Sequence, residues 1–346
     1  MPDPANPHTI SQSWLNRMIR LLLTLFVAVL IAGGIYQNIS ETRDRRFHPM
    51  PGRRVNISVA GSDHAPLAMH IYCIGQGSPA VILEAGLDDS FVSWRKVQPG
   101  IAKFTRVRSY DRAGIGYSDS SPRPRTSQVI AGELHELLQV AAVPSPYVLV
   151  GHSMGGYDVR LFAHLYRNEV SGMVLVDASH PEQQKRLPPA VNDLDAGWLR
   201  EQEFLEFTMP FGLPRLLGFC GADAEVRATQ CNFHSAREAV AELKASSASA
   251  AQTAATGSLG DLPLAVLSRG PDNPQPDLPD DLVKPANQAW QRMQEELAHL
   301  STRGTRVIAN NSGHYIQMDR PDLVIAAVRS VVDEARAAEA TASPKP

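Results

Sequence analysis

The segment Gly151-His152-Ser153-Met154-Gly155-Gly156 sets a serine in the pattern G-x-S-x-G, directly after the apolar run YVLV and at the start of the helical pattern MGGYDVRLFAHLYR. A serine hydroxyl is a weak nucleophile on its own. On a sharp strand-to-helix turn it stands clear of the sheet, where a neighbouring base can take its proton. The glycines suit that turn, because Cβ atoms at the flanking positions would collide with the adjacent strand and helix. The following helix points its positive end at the place where an oxyanion would develop. By average residue usage, a bare G-x-S-x-G occurs by chance in roughly one chain in ten of this length. The strand-to-helix context is therefore what makes this match specific, and the alternative is a tight turn with an inert serine.

The elements that must position this serine follow an α/β rhythm, short β-branched runs alternating with longer helical patterns. Eight strands are predicted: Val55–Ala60, Leu67–Cys73, Ala80–Glu84, Thr105–Tyr110, Tyr147–Val150, Met173–Val176, Leu264–Leu267 and Arg306–Ala309. Several are apolar throughout, as a parallel sheet covered on both faces requires. Helical patterns lie at Ser90–Ile101, Ser127–Ala142, Met154–Arg167, Pro285–Thr302 and Pro321–Ala338. From His180 to Gly260 no good strand appears, and the apolar residues cluster at helical spacing between Pro188, Pro189, Pro210 and Pro214, so this stretch reads as an inserted helical cap. The low-complexity tract Lys244–Gly260 reads as a helix end and a flexible return to the sheet.

Three motifs in order carry a resemblance. The elbow GHSMGG, the segment Tyr110-Asp111-Arg112-Ala113-Gly114-Ile115-Gly116-Tyr117-Ser118-Asp119, similar to a D-R-x-G-x-G-x-S loop after the fourth strand, and SGHYIQMDRP after the last strand resemble the α/β-hydrolases of the esterase and lipase kind that bear a cap. The resemblance spans about Val55 to Ala338. It implies an α/β-hydrolase fold: a mostly parallel eight-stranded sheet with helices on both faces. It also implies chain order nucleophile, acid, histidine, which makes His314, after the strand TRVIA, the base among 11 histidines. His152, beside the nucleophile, reads as shaping the elbow. The oxyanion hole should use the backbone N–H of Met154 and, where many relatives carry His-Gly and this chain has Ala85-Gly86, the N–H of Leu87.

The acid has two candidates. Asp272 follows the seventh strand, the commoner family position, but in the Pro-rich acidic loop RGPDNPQPDLPDD, a composition typical of a solvated turn. Asp177 ends the sixth strand, beside the elbow strand, and resembles the arrangement of cap-bearing relatives whose acid stands there. The expectation falls on Asp177, with Asp272 as the alternative and a turn-capping role for Asp177 as the plain reading.

Other chemistries find little support. His135-Glu136 lacks the second histidine of H-E-x-x-H, and Gly114-Ile115-Gly116 lacks the third glycine of a dinucleotide fingerprint, so neither a metal nor a cofactor is expected. A dehalogenase or epoxide hydrolase of this kind would carry aspartate at the elbow. With 33 basic and 36 acidic residues and a net charge of -3, the chain has no electrostatic footprint for nucleic acid. A small carboxylic ester is the expected substrate, cleaved through an acyl-enzyme, and amide or lactone hydrolysis would use the same parts. Other acyl-transfer or lyase chemistry on the same residues, and a non-catalytic binding protein of this fold, are the rivals.

The N-terminal run Leu21–Tyr36 is uncharged and lies between the lengths of a signal-peptide core and a full span; Trp14, Leu15, Met18 and Ile19 extend it. Residues 1–36 are therefore read as an uncleaved signal anchor, with a cleaved signal peptide second, followed by a linker over 37–54. The hydrolase core is expected over 55–179 and 261–340, the cap over 180–260 and a disordered tail over 341–346. Arg43, Arg45, Arg46, Arg53 and Arg54 after the run favour a cytoplasmic C-terminus by charge count. The signal-like order of basic residues, apolar run and large domain favours the opposite side. Cys220 and Cys231, in a polar segment, would pair on an oxidising side; three free thiols are the alternative.

Overall fold

The computed structural model describes residues 12–58, 66–272 and 278–342. It opens with one long helix, α1 (Gln12–Phe47), and continues with β1 (Arg53–Ile57), β2 (Leu67–Ile74) and β3 (Ala80–Glu84). A short 3₁₀ turn at Phe91–Trp94 and α2 (Gln98–Ile101) lead to β4 (Val107–Tyr110), α3 (Ser127–Val140), β5 (Tyr147–His152), α4 (Gly155–Leu165) and β6 (Val170–Val176). Next come the cap helices α5 (Gln183–Arg186), α6 (Pro189–Thr208), α7 (Leu213–Leu216), α8 (Ala224–Gln230) and α9 (Phe233–Ala254). The chain returns through β7 (Leu264–Arg269), α10 (Asp280–Ala298), β8 (Gly304–Ala309), α11 (Ile316–Asp319) and α12 (Pro321–Ala342).

The eight strands form one sheet in the order β1-β2-β4-β3-β5-β6-β7-β8. β2 runs against both its neighbours and every other pairing is parallel. The two-residue period of the strands divides the core in two. Ala80 and Ile82 of β3, with Tyr147 and Leu149 of β5, join one apolar cluster under α3 and α4. Val81 and Leu83, with Val148 and Val150, join the other beneath α12. That double burial explains why these strands read as unbroken apolar runs. It also leaves the loops at the C-terminal strand edge as the place for a site.

Several expectations change. The linker predicted over 37–54 is helical as far as Phe47: its sequence ISETRDRRF suits a helix, Glu41 pairs with Arg45 one turn on, and Gln37 and Asp44 both find partners in the cap. The helix predicted over Ser90–Ile101 is broken into the 3₁₀ turn, capped by Ser90, and α2, because Pro99 can start a helix but not continue one. The last helix runs on to Ala342, into the predicted tail, and 343–346 lie outside the described residues. Residues 59–60, the end of the first predicted strand, and 273–277 of the acidic loop also lie outside them.

Cys220 and Cys231 are joined in a disulfide, with Cα atoms 5.4 Å apart.

Candidate active site

β5 delivers Ser153 to the centre of the C-terminal sheet edge, and the turn into α4 is tight enough to hold Ser153 in the left-handed region at φ +52°. A non-glycine residue held there marks stored strain. Its neighbours explain why this geometry needs glycine on each side. A Cβ on Gly151 would lie 2.7 Å from both the Gly155 carbonyl and Val159 Cγ2, and one on Gly155 would lie 2.5 Å from the Ala85 carbonyl.

His314 reaches Ser153 from the turn after β8, with Nε2 2.9 Å from Ser153 Oγ. Its Nδ1 lies 2.6 Å from Asp177 Oδ2. Asp177 directly follows β6 at φ +42°, fully buried. Its carboxylate collects three more donors: the Arg269 N–H at 3.0 Å, Arg269 Nη1 at 3.0 Å and Trp290 Nε1 at 2.7 Å. Burial alone would raise the Asp177 carboxyl, but the Arg269 guanidinium and the His314 hydrogen bond outweigh it and hold the group well below the usual carboxylate range. An ionised carboxylate only accepts, so the Nδ1 of His314 carries the proton and Nε2 is free to accept from Ser153. Asp272, the alternative acid, is exposed in the turn after β7.

His152 packs beside His314, ring centroids 4.7 Å apart, and its Nε2 donates to the His314 carbonyl at 3.1 Å. Burial, with His314 next to it, pushes its pKa down to about 3, so it is a neutral prop for the histidine backbone. Its Nδ1 faces Asp89 Oδ2 at 3.7 Å, too far for a hydrogen bond.

Leu87 and Met154 both line the cavity beside Ser153. Neither amide N–H donates to a protein acceptor among the described residues, so both remain available to a ligand. The loop that carries Leu87 is clamped from below by Arg112. Its Nη1 donates to the Ala85 carbonyl at 2.8 Å and its Nη2 to the Gly86 carbonyl at 2.7 Å. The same guanidinium bonds Glu84 at 2.9 Å and Glu242 of α9 at 2.7 Å, so it ties loop, sheet and cap together. Carbonyls turned down toward Arg112 leave the following amide free to face the cavity.

Sequence reasoning placed Ser153, His314 and Asp177, and the structure brings the three into one hydrogen-bonded chain. It missed Arg269, Trp290 and the clamp of Arg112. Arg269 left a faint signal, a basic residue at the end of a mostly apolar strand; its guanidinium stacks 4.4 Å over the Trp290 ring.

A cavity of about 940 Å³ lies over these groups, walled by the loop after β3, by Trp198 and Leu199 of α6, and by His314 and Tyr315. This is room for a small-molecule ligand.

The sequence pattern of the Alpha/beta hydrolase family matches residues 86–327, so the chain belongs to that family. The protein YqjL of Bacillus subtilis (strain 168) is 28% identical over 257 residues, 74% of this chain and 85% of that one. A thermophilic esterase from Thermogutta terrifontis, solved with malate bound, superposes at a TM-score of 0.56 with 20% identity, over 82% of this chain and 99% of the esterase. A bromoperoxidase from Bacillus anthracis superposes at 0.58 with 15% identity, over 81% and 99%. At such identities the likeness shows the fold, and the chemistry must be argued from the site.

Proposed function

We propose that the chain is a cofactor-independent serine hydrolase that cleaves carboxylic esters of small molecules through an acyl-enzyme. The observation that carries this reading is the unbroken sequence of contacts from Asp177 through His314 to Ser153. Ser153 Oγ attacks the acyl carbon as its proton passes to His314 Nε2, and the C=O bond opens to an oxyanion. The Leu87 and Met154 N–H groups hold that oxyanion. The tetrahedral centre collapses as the alkoxide leaves with the proton from His314. Water, deprotonated by the same nitrogen, then attacks the acyl-serine, and the second tetrahedral centre collapses to the carboxylic acid as His314 returns the proton to Ser153 Oγ. Asp177 keeps Nδ1 protonated and stabilises the imidazolium that forms at each step. The helical insertion serves as the cap that bounds the substrate cavity.

The disulfide supports placing this domain on the non-cytoplasmic side of a membrane held by α1, since such bonds persist in oxidising compartments. A fluorophosphonate probe should label the native protein at Ser153 and leave Ser153→Ala unlabelled. Persistent labelling of the variant, or p-nitrophenyl ester hydrolysis within about tenfold of wild type, overturns the assignment.

A further inference from the structure

The apolar helix α1 is long enough to cross a membrane, and the lipid contacts inferred below for the cap rest on reading it as a membrane span. At 1.5 Å per residue, the stretch from Trp14 to Tyr36 is about 33 Å long, close to the hydrocarbon thickness of a bilayer; Arg17 and Arg20 stand in its first two turns, where their long side chains reach back to the headgroups, and Leu21–Tyr36 is uncharged. Aromatic residues at its two ends mark where headgroups begin. The contacts of α1 with the cap start at this near boundary. The backbone of Phe211 presses against Gly33, the Pro210 carbonyl lies 3.4 Å from where a Cβ on Gly34 would stand, and Tyr36 packs at Gly212. Further along, the contacts become polar: Gln37 Nε2 donates to the Cys231 carbonyl at 2.9 Å, and Asp44 pairs with Arg215 at 2.5 Å. The helix thus passes from bare apolar surface, through close backbone contact, to a layer of charged pairs. That is the profile of a path from hydrocarbon through headgroups to water.

The turn between α6 and α7 sits at the level of Tyr36, and large apolar side chains surround it. Phe207 is 76% exposed, Leu216 65%, Leu217 58% and Phe219 50%. Single exposed apolar residues need no explanation, but four grouped where a spanning helix leaves the protein do. We infer that this face of the cap, Phe207 with Leu216, Leu217 and Phe219, rests in the bilayer surface beside α1, so that the enzyme is seated on the lipid as well as tethered to it. The lipid is preferred to a protein partner because the four residues flank, along the chain, the turn Pro210–Gly212 that packs against the helix the lipid surrounds. Lipid at the last apolar turns of α1 reaches the turn Pro210–Gly212, and the four exposed side chains lie within seven residues of that turn.

The test uses the full chain in phosphatidylcholine vesicles. Single cysteines carrying a nitrobenzoxadiazole fluorophore are placed by Phe207→Cys, Leu217→Cys, Leu25→Cys and Lys103→Cys in a Cys73→Ser background. Lys103 is exposed at the opposite edge of the sheet, before β4. Lipids with brominated acyl chains should quench positions 207, 217 and 25 by roughly twofold or more and leave position 103 unchanged, as expected for side chains at or below the headgroups. Quenching at 25 without quenching at 207 and 217 leaves α1 in the membrane and overturns the seated cap; something other than lipid then covers the patch. No quenching at 25, 207 and 217 overturns the membrane reading of α1 and the seating together.

Discussion

Asp177→Asn is the change whose outcome the site geometry constrains most closely. Two of the four donors around the carboxylate are fixed, the Arg269 backbone N–H and the buried Trp290 Nε1, and both point at Oδ1. The amide oxygen must therefore take that position, which puts the NH₂ group where Oδ2 was, against His314 Nδ1. An NH₂ donates, so His314 must accept at Nδ1 and carry its proton on Nε2, facing Ser153 as a donor. In that tautomer it cannot take the serine proton. A misplaced tautomer costs about 10³- to 10⁴-fold in kcat, or about 4 to 5.5 kcal/mol of barrier at 1.36 kcal/mol per tenfold. Arg269 loses its carboxylate but keeps the Trp290 ring beneath it, so folding should survive a loss of about 1–3 kcal/mol. The assay is single-turnover and steady-state hydrolysis of p-nitrophenyl esters, with circular dichroism melts to confirm the fold. Asp272→Asn serves as the control and should behave as wild type. A folded Asp177→Asn protein that keeps more than about a tenth of wild-type kcat, or a collapse of activity in Asp272→Asn instead, refutes the reasoning.

Arg112→Lys keeps the charge that Glu84 and Glu242 need but removes the fork that holds the Ala85 and Gly86 carbonyls. We expect kcat to fall about ten- to a hundredfold, less than for an oxyanion donor removed outright, with KM nearly constant; an unchanged kcat in folded protein would show that the loop keeps its own shape. Asp89 supplies a pH test, because burial raises its carboxyl from 3.8 to about 6 despite Arg112 and His314. The folded chain then binds more protons than the unfolded chain between those values, so this residue's contribution is fully present below the lower one and is lost as pH rises through the upper. The loss is about 3 kcal/mol at 1.36 kcal/mol per unit. Asp89→Asn should show a correspondingly smaller drop in urea midpoint between about pH 4 and pH 8, and an identical drop in both proteins would rule the residue out as its source.

Much of the sheet was legible because both faces of its central strands are buried, and YVLV or GMVLV can hardly be anything else. The elbow was legible because its glycines answer to local crowding. His314 and Asp177 could be placed because each follows a strand whose position in the chain order was known, while their mutual distances came only from the fold. The stretch after Tyr36 is polar enough for a loop, yet Gln37 and Asp44 are satisfied by cap residues nearly two hundred positions away. Pro285 suggested a helix start, but α10 begins at Asp280 and carries the proline inside its second turn. Arg112, Arg269 and Trp290 act through partners distant in sequence, and residue type alone does not announce such roles.

The two long helices of the cap are held unequally. α9 buries Glu238 and Glu242, which pair with Arg125 and Arg112 of the core. Separating those charges without water would cost several kcal/mol, so α9 should exchange its amide hydrogens only on global unfolding. α6 buries only Gln202 and Thr208, yet it supplies Asp195, Trp198 and Leu199 to the cavity wall. Of the two long helices it has less to lose on lifting away, except at its C-terminal end, where the turn Pro210–Gly212 is held at α1. The cap is thus a fixed post with one pliant wall hinged at the turn held by α1, and traffic of ligand through the cavity would be timed by the breathing of the N-terminal part of α6, a motion that leaves α9 and the Arg112 clamp in place.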